Sequence, residues 1–155
     1  MRIEIALKQA QSILRNKNFK SAGLDCEILM SKVLDKDRKY IILNPKKKLE
    51  NHKLAYFNSL VKERSYGKPI AYLTEKKYFW DSEFMIKKDV LIPRPDTEII
   101  IEQVLKLNKN RFKQRVLDIG VGSGCILLSL LKEKKDFYGT GIDKSAKCIS
   151  LSQIN

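Results

Sequence analysis

The sequence predicts an α + α/β chain: a small N-terminal helical bundle, a β-hairpin linker, and then the first part of a Rossmann-like domain. Three observations predict it. Apolar residues recur at helical spacing through the first two-fifths of the chain. The pattern turns extended around Tyr78-Phe79-Trp80 and Phe84-Met85-Ile86. From Val116 onward the order is apolar strand, glycine turn, apolar helix and second strand, the opening of a parallel-stranded unit.

Residues 1–66 read as the helical module. Ile3, Leu7, Ala10, Ile13 and Leu14 mark one helix, and Leu24, Ile28, Leu29 and Val33 a second. Leu49 to Val61, with Leu54, Phe57, Leu60 and Val61, gives a third or fourth, and Asn44-Pro45 breaks the chain between them. The module carries no convergent polar set, so it reads as a recognition or docking unit. Residues 67–92 form the linker: Gly67-Lys68-Pro69-Ile70 ends the helices, and the hairpin turns near Asp81-Ser82. Its aromatics read as packing between the two modules rather than as a ligand box. Residues 93–155 open the second module, where Asp96 or Thr97 is expected to cap a helix from Glu98 to Leu107.

The chemistry concentrates in Val116-Leu117-Asp118-Ile119-Gly120-Val121-Gly122-Ser123-Gly124. A buried strand ends on an acid, turns on three glycines and enters the helix Cys125 to Leu131. Without a Cβ, the glycines let the backbone turn sharply and a ligand approach closely. The helix then points its free N–H groups at whatever lies there. The strand Phe137 to Ile142 delivers Asp143, which can accept hydrogen bonds from two ribose hydroxyls. This constellation is a nucleoside-cofactor site. A dinucleotide fingerprint needs a third small residue where Cys125 stands, and Gly124 comes one place early. Asp118 also sits where dinucleotide-binding strands are usually apolar, and an acid there can engage the cationic end of an amino-acid-like cofactor. The details favour S-adenosylmethionine over NAD.

Composition bounds the rest. The 155 residues carry a formal charge of +13 and 43% hydrophobic content, enough for one ordinary domain or two small ones. The lysines are scattered over loops and helix ends rather than interleaved with arginines and aromatics, so they read as solvated faces. No run spans a membrane, and Met1-Arg2-Ile3-Glu4 has no apolar signal-peptide core, which points to a cytoplasmic protein. Cys26, Cys125 and Cys148 read as reduced thiols without metal spacing, and His52 as a surface residue.

Several runs resemble one family in order along the chain. Leu24-Asp25-Cys26-Glu27-Ile28-Leu29, Gly67 to Thr74, Tyr78-Phe79-Trp80, Leu91-Ile92-Pro93-Arg94-Pro95-Asp96-Thr97-Glu98, Val116 to Gly124 and Gly141-Ile142-Asp143 are similar to the peptide chain release factor glutamine methyltransferases. The Pro-Arg-Pro-Asp-Thr-Glu run is the most specific of these. Glu75 departs, standing where the family usually has glycine, which implies a locally altered turn.

The resemblance implies a class I methyltransferase domain, truncated here, preceded by a substrate-recognition bundle. It implies transfer of the S-adenosylmethionine methyl to the glutamine amide nitrogen in the Gly-Gly-Gln loop of a release factor, by an enzyme expected to be monomeric. Gly120, Val121, Gly122, Ser123 and Gly124 would wrap the methionine portion, Asp118 support its ammonium and Asp143 hold the ribose. An amide nitrogen is a poor nucleophile, and the family holds it with an Asn-Pro-Pro-Tyr loop. That loop is missing: Asn44-Pro45 is followed by Lys46-Lys47. No catalytic residue is therefore assigned, and the isolated chain is expected to be inactive. Two alternatives stay open: a methyltransferase acting on nucleic-acid amino groups, and a non-catalytic remnant whose helical module binds a partner.

Overall fold

A computed structural model describes all 155 residues. Contacts divide the chain into two compact units, Met1–Thr74 and Glu75–Asn155.

The first unit contains helices α1 (Ile3–Asn16), α2 (Ala22–Leu34), α3 (Arg38–Leu43), α4 (Asn51–Ser65) and α5 (Ile70–Thr74). α1 buries Ile3, Ala6, Ala10 and Leu14, a stripe at three- and four-residue steps. Ile13, expected on that stripe, is exposed, because the step from Ala10 lands on Leu14. α2 turns Ala22, Cys26, Leu29, Met30 and Val33 inward. Leu24 lies two residues from both Ala22 and Cys26, on the opposite side of the helix, and is exposed. Leu49 and the α4 residues Phe57, Leu60 and Val61 complete the core with Ile41 and Leu73.

One ion pair is built into this unit. The Arg64 Nε–H donates to Asp25 Oδ2 at 2.7 Å, and the Ser21 hydroxyl donates to the same oxygen at 3.0 Å. The Arg64 guanidinium also lies 4.2 Å from the Phe19 ring centroid and donates to the Lys68 carbonyl at 3.2 Å.

The chain beyond Gly67 departs from the expected extended run. Gly67 adopts φ +92° and closes α4, but Pro69 then starts another helical turn. The amides of Tyr72 and Leu73 donate to the Pro69 carbonyl at 3.1 and 3.2 Å. A proline before a helix loses nothing, since its missing N–H would have no intrahelical acceptor.

The second unit opens on Glu75, whose φ of +62° puts a non-glycine residue in the left-handed region. A glycine at this position would adopt that conformation without a Cβ penalty. The hairpin follows as β1 (Lys76–Phe79) and β2 (Ser82–Met85), with Phe79 opposite Ser82. Its turn residues are therefore Trp80 and Asp81, one place earlier than the sequence indicates. Phe79 and Phe84 are buried, with their rings edge to face at 6.3 Å.

A 3-10 turn, Pro95–Thr97, leads into α6 (Glu98–Leu107). Neither Asp96 nor Thr97 makes the expected side-chain cap. The acid at the next position serves a tertiary role instead: Glu98 Oε1 accepts the Trp80 backbone N–H at 2.8 Å. That bond ties the α6 start to the hairpin turn, where Trp80 has φ +55°.

β3 (Arg115–Ile119), α7 (Cys125–Glu133) and β4 (Tyr138–Ile142) form the parallel crossover, and α8 (Ala146–Ile154) follows. Gly139 and Gly141 let α7 and its approach lie close on the sheet. A Cβ at Gly139 would stand 2.8 Å from Leu127 and Leu131 methyls, and one at Gly141 would stand 2.7 Å from Val121 Cγ2. β3 is not the fully buried strand its composition indicated. Leu117 and Ile119 are 59% and 75% exposed, because their side chains alternate onto the sheet face opposite α7.

Candidate cofactor site

The turn from β3 into α7 is fixed by backbone geometry that only glycine adopts freely. Gly120, Gly122 and Gly124 take φ +86°, +55° and +83°. The Gly120 and Val121 amides both donate to the Ile142 carbonyl, at 2.8 and 3.0 Å, which fastens the turn to the end of β4. The Gly124 amide donates to the Val121 carbonyl at 2.8 Å, and Gly124 then caps α7.

The three glycines serve different ends. A Cβ at Gly124 would meet Leu128 Cδ1 at 2.9 Å and Ser152 Cβ at 3.1 Å, so that glycine permits close packing. A Cβ at Gly120 would meet nothing within 4 Å, and one at Gly122 only the Gly120 carbonyl at 3.9 Å. Open space therefore lies over Gly120 and Gly122. Val121 is buried against Gly141, and Ser123 is also buried.

Asp143, just past β4, reaches back to the turn. Its Oδ2 accepts the Gly122 N–H at 3.0 Å, and its Oδ1 accepts the Ser145 N–H at 2.9 Å. These donors, Ser145 first and Gly122 second, hold its carboxyl below the ordinary carboxylate range. The Cys148 thiol adds a weaker donor, and the carboxylate keeps lone-pair capacity for ligand hydroxyls. Ser145 also caps α8 by accepting the Cys148 N–H at 3.5 Å.

Asp118 has the opposite electrostatic character. Burial pushes its carboxyl up, the negative charge of Asp143 adds to that, and the Leu127 N–H in the first turn of α7 opposes it. Its Oδ2 is buried with no hydrogen-bond partner. An unpaired carboxylate oxygen in such a place is costly, and a cationic donor would relieve it.

The structure thus gathers Asp118, Gly120, Val121, Gly122, Ser123, Gly124 and Asp143 around one turn. Val121 contributes packing and a backbone amide there, and its side chain is turned away from the open space. Sequence reasoning missed Ser145, whose amide orients Asp143, although a serine two residues after a strand-end acid is a recognisable turn signal. It also missed Asn155, whose side chain donates to the Ser123 carbonyl at 2.9 Å. No group of three or more His, Cys, Asp or Glu side chains is placed to hold a metal ion.

Two family models match parts of the chain. Residues 6–74 match the family described as PrmC N-terminal domain, and residues 94–153 match the family described as Methionine biosynthesis protein MetW. The second match contains the whole glycine turn and Asp143. A release factor glutamine methyltransferase of Buchnera aphidicola subsp. Baizongia pistaciae is 42% identical over 155 residues, covering 100% of this chain and 56% of that protein. The Clostridium acetobutylicum protein of the same name is 40% identical over 156 residues, covering 100% and 54%. That of Leptospira interrogans is 37% identical over 150 residues, covering 96% and 52%. The chain spans about half the length of the curated relatives it matches. Over its whole length, the chain is similar to the N-terminal part of release factor glutamine methyltransferases.

Proposed function

We propose that this chain supplies the cofactor turn and the substrate-recognition helices of an S-adenosylmethionine-dependent methyltransferase. Its substrate would be the glutamine amide in the Gly-Gly-Gln loop of a peptide chain release factor, and it would act as a cytoplasmic monomer. The observation that carries the reading is Asp143: its two oxygens are aimed by amides from two directions, beside open space over Gly120 and Gly122. A ribose placed there would donate its two hydroxyls to the remaining lone pairs. Gly120, Val121, Gly122, Ser123 and Gly124 would line the methionine portion with backbone alone. Asp118 would face the ammonium, which supports the reading because its buried Oδ2 otherwise lacks a donor.

When bound, S-adenosylmethionine supplies a methyl group activated by its sulfonium. The residues of this chain would bind and orient it, and the helical unit Met1–Thr74 would recognise the release factor. The 155 residues contain no Asn-Pro-Pro-Tyr sequence, so holding the glutamine amide is assigned to none of them. The 155-residue chain by itself is expected to bind cofactor without transferring methyl. No helix is long and apolar enough to cross a membrane.

Titration calorimetry with S-adenosylhomocysteine tests this directly. Binding that is weakened about tenfold by Asp143→Ala and is not displaced by NAD is the expected result. No binding, or tighter binding of NAD, would refute the cofactor assignment.

A further inference from the structure

Asn155, at the end of α8, joins two segments that are remote in sequence. Its Oδ1 accepts the Met85 N–H at 2.7 Å, and its Nδ2 donates to the Met85 carbonyl at 3.2 Å. The side-chain amide thus pairs with Met85 of β2 as a neighbouring strand would. The same Nδ2 donates to the Ser123 carbonyl at 2.9 Å.

We propose that Asn155 is a positioning residue that sets the glycine turn for the cofactor and couples the hairpin to it; this rests on the cofactor reading above. The argument follows the peptide planes of the turn. Ile142 fixes the amides of Gly120 and Val121, and Asp143 fixes that of Gly122. The Ser123–Gly124 plane is held at both ends, its N–H by the Val121 carbonyl and its oxygen by Asn155. Without Asn155, that oxygen loses its side-chain donor, and the plane beside the cradle can rotate.

The residue type is specific to the task. Met85 needs an acceptor and a donor, and Ser123 needs a donor, all from one short side chain. Asparagine supplies these through one carbonyl and two N–H groups. Aspartate keeps the acceptor, loses both donors and sets a charge against two carbonyl oxygens. Because Met85 and Ser123 share this one partner, ligand that stiffens the turn must also stiffen the Met85 end of β2.

The experiment combines calorimetry with hydrogen exchange on the 155-residue chain, using S-adenosylhomocysteine as probe. In the wild-type protein, the Met85 amide is expected to exchange more slowly when the probe is bound. Asn155→Asp and Asn155→Ala are expected to bind about five- to tenfold more weakly. They should also lose the ligand-dependent slowing at Met85, with melting of the ligand-free proteins recorded alongside. Wild-type affinity in both variants, or a Met85 amide indifferent to ligand in the wild type, overturns the proposal while leaving the cofactor assignment standing. Failure of the wild type to bind the probe refutes that assignment and the positioning role with it. The wild-type exchange comparison needs no variant, so a variant that does not fold leaves the test intact.

Discussion

Substitution of Gly120 by alanine should separate binding from stability, with Gly139→Ala as its control. Gly120 has φ +86°, and an L residue in the left-handed region costs about 1–2 kcal/mol. No steric cost adds to this, because the new Cβ meets nothing within 4 Å. Gly139 has no positive φ, but its Cβ would stand 2.8 Å from Leu127 Cδ1 and Leu131 Cδ1. Overpacking of that kind costs about 1–3 kcal/mol. The two variants should therefore lose similar stability, about 4–8 °C of melting temperature per kcal/mol for a unit of this size. Their affinities should diverge. The methyl at Gly120 occupies the open space of the cradle and should weaken S-adenosylhomocysteine binding on the order of tenfold or more. The methyl at Gly139 presses on α7 behind the sheet and should change affinity by no more than about twofold. Thermal melts by circular dichroism and titration calorimetry measure both quantities. Equal effects on affinity, or an untouched affinity in Gly120→Ala, would refute the assignment of that space to the ligand.

Four further outcomes are expected. Affinity for S-adenosylhomocysteine should fall on acidification with a midpoint above the ordinary carboxylate 3.8, and Asp118→Asn should remove that limb, since Asp118 is the carboxyl raised by burial. In stability the two acids act with opposite sign: the lowered Asp143 stabilises above the ordinary carboxylate value and loses this as pH falls through its own, whereas the raised Asp118 destabilises increasingly as pH rises through its own. Cys26, pushed up to about 12 chiefly by burial, is roughly one part in ten thousand thiolate at pH 8, so iodoacetamide should label it only upon unfolding; labelling in the folded protein would contradict its burial. Arg64→Met should cost about 3–5 kcal/mol in urea titration by stranding Asp25, which is 5% exposed, whereas replacing both partners should cost less than the single change. Ile119→Lys should leave the stability of the 155-residue chain unchanged and destabilise a form extended to its relatives' length by about 1.5–3 kcal/mol, because parallel sheets are covered on both faces.

The legible parts of this fold were those governed by neighbours in sequence. The stripe Ile3, Ala10 and Leu14 follows from helical geometry, and the hairpin follows from two short aromatic runs with a turn between them. The glycine turn was legible for a stronger reason: three left-handed residues in five, entered from a strand and left by a helix, restrict what else the segment can be. Asp143 could be placed beside it because a parallel crossover returns the second strand next to the first, and the register Asp118 to Gly141 then brings both acids to one end of the sheet. Ile13 falls off the stripe because it adjoins Leu14 and only one of the two can face the core, and Leu24 because its four-residue step to Ile28 fits a helical face that packing leaves outside.

What the sequence hid was polar and tertiary. Glu98 stands in a run that reads as a helix start, and its bond to the Trp80 amide depends on where the hairpin turn falls, 18 residues earlier. Asn155 is an unremarked polar residue by pattern, and its role requires Met85 and Ser123 to arrive within reach together. Such residues carry no periodicity, because one amide suffices. The strand Val116 to Ile119 shows the converse error. Its apolar composition reads as burial on both sides, yet one face is open, and Leu117 and Ile119 lie on it. The composition and the exposure have one physical account. A strand selected only for the face under α7 would carry polar residues at the alternate positions, whereas this one carries Leu117 and Ile119 on its open face, as the strands of covered parallel sheets do. The open face of β3 is thus chemically a core surface, which is why Ile119→Lys distinguishes a face that stays in water from one that is covered.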